Sequence, residues 1–252
     1  KIALFNCNIR SVPPKKSGGI EKIINYLIQG FTSYGHEVTL FSAGNCIKRK
    51  YLKNVSIFPQ DIENLDLEDK EKEKLNCKLT LQLAKTLAER QNEFDIINNH
   101  CLGAGIPLLG YVKTHIVSTI HESLTKEAIQ RITPFKKGNF ISISYAQRKP
   151  LLDLNYVANI YNAIDVNSYP MPTKPEEYLV FVGRISWQKA PHLAILTAKK
   201  LGMKLFILGK YKDKHLESEY YHKYFLPTLL DNKKNVEWLD EVDEKTVQKY
   251  FN

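Results

Sequence analysis

A chain of 252 residues is too long for one small domain and suits one large domain or two ordinary ones. With 43% hydrophobic and 25% charged residues it holds enough apolar material for a packed core, which excludes a disordered protein. Its 36 Lys and Arg against 27 Asp and Glu leave a formal charge of +9, which favours nucleotide phosphates, nucleic acid or an acidic membrane surface and is matched equally by a Lys- and Asn-rich genome.

The first elements alternate. An apolar strand, IALFN (2–6), precedes a long polar loop; Ile20, Ile23, Ile24, Leu27, Ile28 and Phe31 then recur at helical spacing, and EVTLFSA (37–43) is a second strand. VSIF (55–58) reads as a short strand. From about Asp66 a charged stretch carries Leu75, Leu79, Leu83 and Leu87 on one helical face, and the run LEDKEKEK forms its solvated first turns. FDIINNH (94–100) is a strand, a helix is expected over 102–112, and HIVSTIH (115–121) and NFISIS (139–144) are strands, with VANIYNAID (157–165) closing the series. Strands rich in Ile and Val, alternating with helices, predict an α/β fold with a parallel sheet covered on both faces.

SYPMPTKPEE (168–177) reads as a linker because of its three prolines, and sets the expected domains at 1–168 and 169–252. Beyond it the rhythm restarts with strand YLVFVG (178–183), helix HLAILTAKKLG (192–202), strand KLFILG (204–209), a helical stretch near 215–230, strand NVEWL (235–239) and a helix opening at DEKTVQKYFN. Three strands fall short of the five or six of a doubly wound domain, so the second domain is expected to be incomplete.

Cys7, Cys46, Cys77 and Cys101 are scattered without a C-x-x-C pair, which predicts reduced thiols, no disulfide and no bound metal. No charged n-region with an apolar core opens the sequence, and no uninterrupted apolar run approaches 18 residues. A cytoplasmic protein is expected, with peripheral contact at the inner face of a membrane left open.

Ligands in open α/β sheets sit beyond the carboxyl ends of the strands, which singles out three places. In SVPPKKSGGIEK, Gly18 and Gly19 precede a helix, where free amides and the helix N-terminus favour an anion; a plain turn is the equal alternative. His121 ends one strand and His100 the strand before it, and His121 is the stronger candidate of the two. In GRISWQK, Arg184 and Lys189 follow an apolar strand, a pairing suited to a pyrophosphate. Each charge-assisted contact contributes roughly 1.5–3 kcal/mol, so two supply much of the roughly 8 kcal/mol of a micromolar nucleotide affinity. G-x-G-x-x-G and G-x-x-x-x-G-K-[ST] are both absent, which disfavours a dinucleotide oxidoreductase and a P-loop NTPase. The dispersed basic residues carry no nucleic-acid motif.

Taken together, these stretches resemble a family 4 glycosyltransferase of the GT-B type. The opening PPKKSGGIEKIINYLIQGFTSYGHEVTLFSAG, the middle segments FDIINNH and HIVSTIHES, the exit segments FISISYAQR and IYNAIDVNSYP, and LVFVGRISWQKAPHLAILTAKKLGMKLFILG are each similar to that family. The resemblance implies two Rossmann-like domains facing across a cleft and transfer of a sugar, with glucose favoured, from a UDP-linked donor to an unidentified acceptor. It also implies retention and no obligatory metal. Arg184 and Lys189 would hold the donor diphosphate, met by the amides of Gly18 and Gly19, and His121 would lie near the transferred sugar. His100, Glu21, Asn162 and Gly183 are further expected cleft residues. Two departures are mild: Ala190 and Ala163 stand where the family usually has glycine. The family's E-x7-E pair has no match before Asn252, which leaves two readings, a piece of a longer enzyme or a catalytically weak nucleotide-sugar binder.

Overall fold

The structure, a computed structural model, describes residues 1–6, 9–16, 18–169, 174, 177–211 and 215–251. It divides into two compact units, one of Lys1–Pro14 with Gly18–Ala163 and the other of Lys15–Ser17 with Ile164–Asn252. The division at Ala163/Ile164 lies just ahead of the expected 168/169 boundary, and much of the proline-rich linker there, like Cys7, lies outside the described residues.

In the first unit, β1 (Ile2–Phe5), β2 (Val38–Phe41), β3 (Leu52–Val55), β4 (Ile96–Asn99), β5 (His115–Ile120), β6 (Asn139–Ser142) and β7 (Tyr156–Asn159) form a seven-stranded sheet in the order β3-β2-β1-β4-β5-β6-β7. All its pairings are parallel. β1 and β2 are buried along their whole length, as strands in a sheet covered on both faces must be; β1 is wholly apolar and β2 is so but for Thr39. β3 is an edge strand with Lys53 and Asn54 exposed, and an edge lysine discourages further strand pairing.

Helix α1 (Gly19–Ser33) buries Ile24 and Ile28 completely, worth about 1.5–3 kcal/mol apiece. Helix α2 (Asp69–Glu89) opens with a capping box between Glu68 and Glu71 and buries Leu79, Leu83 and Leu87, while Leu75 packs partly buried at the rim of the same core. Two short helices escaped the sequence reading, α3 (Lys126–Ile132), capped by Thr125, and α4 (Tyr145–Arg148), capped by Ser144.

Two expectations are corrected. The helix over 102–112 is absent, and a single 3-10 turn, Pro107–Gly110, stands in that stretch. A Cβ on Gly105 would lie 2.0 Å from Asn99 Oδ1 and 2.4 Å from the Cys101 carbonyl, so the chain folds back onto the end of β4 and cannot coil into a helix. The strand expected at 55–58 lies earlier, at Leu52–Val55, because the Ser56 hydroxyl accepts from the Phe58 amide at 3.1 Å and turns the chain.

The second unit is a three-stranded parallel sheet, β8 (Tyr178–Val182), β9 (Lys204–Leu208) and β10 (Val236–Trp238), in the order β10-β9-β8. Helix α5 (Pro191–Leu201) joins β8 to β9, starting with Pro191 and stopping at Gly202, whose φ of 66° suits glycine. Helices α6 (His215–Tyr220) and α7 (Leu226–Asp231) are joined by a π-helical turn, Tyr221–Phe225, and α8 (Glu244–Tyr250) closes the described chain. Ile195, Ala198, Leu205, Ile207 and Phe225 form the core.

Candidate functional site

The sheet of the first unit reverses its order of travel between β1 and β4, and such a switch point is where α/β sheets open a crevice. His100 is the first residue beyond β4, with its amide bonded to the Phe5 carbonyl at 2.9 Å. His121 is the first beyond β5, the strand paired with β4, so parallel pairing brings the two side chains together. His100 Nδ1 lies 2.8 Å from His121 Nε2, and the ring planes, tilted by only 25° with centroids 5.1 Å apart, meet edge to edge as an N–H···N bond requires. His100 is 2% exposed, and its Nε2 has no partner among the described residues. Burial, then the neighbouring His121, lowers the His100 pKa to about 3, and burial alone lowers that of His121 to about 4. Both imidazoles are therefore neutral at physiological pH.

His121 borders a cavity of about 400 Å³ whose walls include Glu122, Ser123, Ser144, Gln147 and Leu124. Gln147 holds this region together. Its Nε2 donates to the carbonyls of Ile120 and Glu122, each at 2.9 Å, and its Oε1 accepts from the Ile143 amide at 2.9 Å. The sequence reading assigned Gln147 no role, although S-x-x-Q directly after a strand is a legible capping signature. Beside it, Arg148 Nε donates to Ser142 Oγ at 2.7 Å and its guanidinium lies 4.5 Å from the Tyr156 ring centroid.

Around the start of α1, a Cβ on Gly18 would meet the Pro14 ring at 2.6 Å and Glu21 Oε2 at 2.9 Å, whereas the space beside Gly19 is open. Glycine at 18 thus has a packing reason of its own. Glu21 is 1% exposed and supplies a carboxylate to the first turn, meeting the partial positive charge that was expected to attract a ligand. The loop from β1 is braced by Asp61, which accepts from the Ser11 amide and hydroxyl, both at 3.1 Å, and by an Arg10–Glu63 ion pair. Burial opposes the Arg10 charge, yet Glu63, Glu21 and Asp61 hold its pKa above the ordinary value. Asn162 is exposed in the irregular stretch after β7.

In the second unit, Gly183, Arg184 and Lys189 share the loop leaving the carboxyl end of β8. Ile185 is fully buried, and its amide donates to the Lys210 carbonyl at 3.0 Å, anchoring the loop beneath its charged residues. Trp187 stacks on His192 at 6.2 Å and packs against Tyr220 and Tyr224, while His192 Nδ1 meets the Tyr220 hydroxyl at 2.7 Å. Ala190 ends the loop with a left-handed φ of 48°. Arg184 and Lys189 are both exposed. Arg184 Nη1 lies 3.5 Å from Glu217 Oε1, a partner on α6 that the sequence reading did not anticipate.

Cys46, Cys77 and Cys101 are free thiols. Among the described residues, no helix is long and apolar enough to cross a membrane.

No family model matches the chain, and no curated protein matches it. Solved structures do. AviGT4, a glycosyltransferase involved in avilamycin A biosynthesis, is 20% identical with a TM-score of 0.64, over 98% of this chain and 66% of its own. A glycosyltransferase from Rickettsia africae ESF-5 is 12% identical with a TM-score of 0.57, over 99% of this chain and 70% of its own. An Os79 variant from O. sativa, solved in complex with UDP, is 7% identical with a TM-score of 0.51, over 95% and 72%. The chain thus spans just under two thirds of AviGT4. At these identities the likeness is one of architecture, and the chain has the α/β, GT-B type fold of these glycosyltransferases.

Proposed function

We propose that this chain is the donor- and acceptor-handling part of a glycosyltransferase that moves a sugar from a nucleotide diphosphate donor to an acceptor hydroxyl. In this reading it is a retaining hexosyltransferase of family 4, with a UDP-linked donor and glucose as the favoured sugar. The observation that carries the reading is the β8 loop, which presents Arg184 and Lys189 together, both exposed, in a fold shared with glycosyltransferases. Two cations on one loop suit a diphosphate, and their effect grows as negative charge develops on the departing phosphate, so they act mainly on the transition state.

In the first unit His121 is a neutral hydrogen-bonding group beside the 400 Å³ cavity, which suits a sugar or an acceptor hydroxyl. A donor phosphate oxygen takes the acceptor's proton as the bond from the anomeric carbon to the phosphate oxygen breaks and the bond to the acceptor oxygen forms on the same face. The amides of Gly18 and Gly19 remain candidates for a second phosphate contact. No metal cofactor is part of the proposal, and a cytoplasmic site with peripheral membrane contact fits the charge of +9; co-sedimentation with anionic vesicles tests that contact.

The central test is calorimetric titration with UDP and with UDP-glucose. Arg184→Ala is expected to weaken UDP binding by about ten- to a hundredfold; unchanged affinity removes the assignment. Binding without release of UDP from UDP-glucose in the presence of acceptors would support a nucleotide-sugar binder in place of a transferase.

A further inference from the structure

Two tautomers satisfy the 2.8 Å contact between the histidine rings, and they differ in what they bury. If His121 Nε2–H donates, His100 accepts at Nδ1 and must carry its own proton on Nε2, which is buried without a partner among the described residues. If His100 Nδ1–H donates, only a lone pair is left at that Nε2. Orphaned buried N–H groups are the rarer and costlier case. The second arrangement therefore prevails, and the proton of His121 resides on Nδ1, the nitrogen without a hydrogen-bond partner among the described residues.

The main chain is held by a separate device. The two carbonyls that accept from Gln147 Nε2, those of Ile120 and Glu122, belong to the residues immediately before and after His121. Ring and backbone are thus fixed independently, by side chains from β4's end and from α4.

We propose that His100 and Gln147 are positioning residues for His121: His100 sets its ring plane and its tautomer, Gln147 sets its backbone, and together they make His121 present an Nδ1–H donor, and no base, to a hydroxyl or phosphoryl oxygen. Only the identity of that oxygen's owner rests on the glycosyltransferase reading. The tautomer does not.

The test is a long-range proton–nitrogen correlation spectrum of the imidazoles at pH 7, on the full chain labelled with nitrogen-15. The wild type is expected to show His121 protonated at Nδ1. His100→Leu removes the donor and is expected to return His121 to the Nε2–H form that free neutral imidazole favours, whereas His100→Asn, with an amide donor near the Nδ1 position, restores the Nδ1–H form. Gln147→Glu keeps the acceptor for Ile143 but loses both donors, and is expected to broaden or double the His121 signals without changing the tautomer. A wild-type proton on Nε2, or an Nδ1–H form that persists in a folded His100→Leu, overturns the His100 assignment; an unaltered spectrum in Gln147→Glu overturns the Gln147 one. Should the chain transfer sugar, His100→Leu is expected to lower kcat about tenfold or more at little cost to donor KM. If it transfers none, the spectra decide the proposal by themselves.

Discussion

Gly209 lies against Gly183 so closely that a Cβ on Gly209 would sit 1.7 Å from the Gly183 carbonyl oxygen. The contact brings the carboxyl ends of β8 and β9 together, and it is reinforced by Trp238 Nε1 donating to the Gly209 carbonyl and the Gly209 amide donating to Asp240, both at 2.7 Å. Gly209→Ala forces two stretches of backbone apart. It is expected to destabilise the second unit by about 2–4 kcal/mol, read as a lowered urea midpoint, and to weaken UDP binding through the displaced Arg184 loop.

Glu217 competes with any anion for Arg184. The pair is long and Arg184 is more than half exposed, so the interaction contributes about 0.2–1 kcal/mol. Glu217→Gln is expected to tighten UDP binding by about two- to fivefold in calorimetry at low salt, an advantage that shrinks at high ionic strength. Weaker binding in this variant would show that Glu217 orients Arg184 and does not oppose its ligand.

The histidine pair makes stability depend on pH. Folded-state pKa values near 3 and 4 lie below the ordinary 6.5, so as pH falls below 6.5 the unfolded chain takes up protons that the folded chain refuses. Stability is therefore lost on acidification, with a slope of up to about 1.4 kcal/mol per pH unit for each histidine. Urea unfolding at pH 7, 6 and 5, above the range in which carboxylates titrate, is expected to show the decline, and His100→Asn to flatten it. A stability that does not change across that window would mean that the pair is open to solvent.

Ala190 holds a conformation that glycine adopts without strain. Replacement by glycine relieves an L-residue in the left-handed region but loosens the unfolded chain, and the two effects leave a gain of up to about 1 kcal/mol. Ala190→Gly is expected to raise Tm by a few degrees or leave it unchanged. A fall would indicate that the alanine methyl packs usefully where α5 begins.

What the sequence revealed of the fold followed from local patterns. β4 and β5 are short β-branched stretches whose ends the sequence marks, so His100 and His121 could be placed at strand ends from the sequence. Their strands, expected to be neighbours, do pair, but the 2.8 Å contact itself was not legible, because it depends on how the two side chains are oriented beyond the strand ends. Arg184 and Lys189 were visible as cations on one loop, whereas Glu217, 33 residues further on, reaches Arg184 only through the packing of α6. The misread helix at 102–112 shows apolar spacing overruled by glycine: the close approach of Gly105 to Asn99 depends on a tertiary neighbour and leaves no periodic trace.

The uncharged state of both imidazoles has a bearing on selectivity. An imidazole that stays uncharged from neutral pH down to mild acid, as His121 does, offers no Coulombic attraction to anions at its own edge of the cavity, so a molecule meets a directed hydrogen bond there and not a charge. Such a place favours groups that accept a directed hydrogen bond at little desolvation cost, among them sugar and alcohol oxygens.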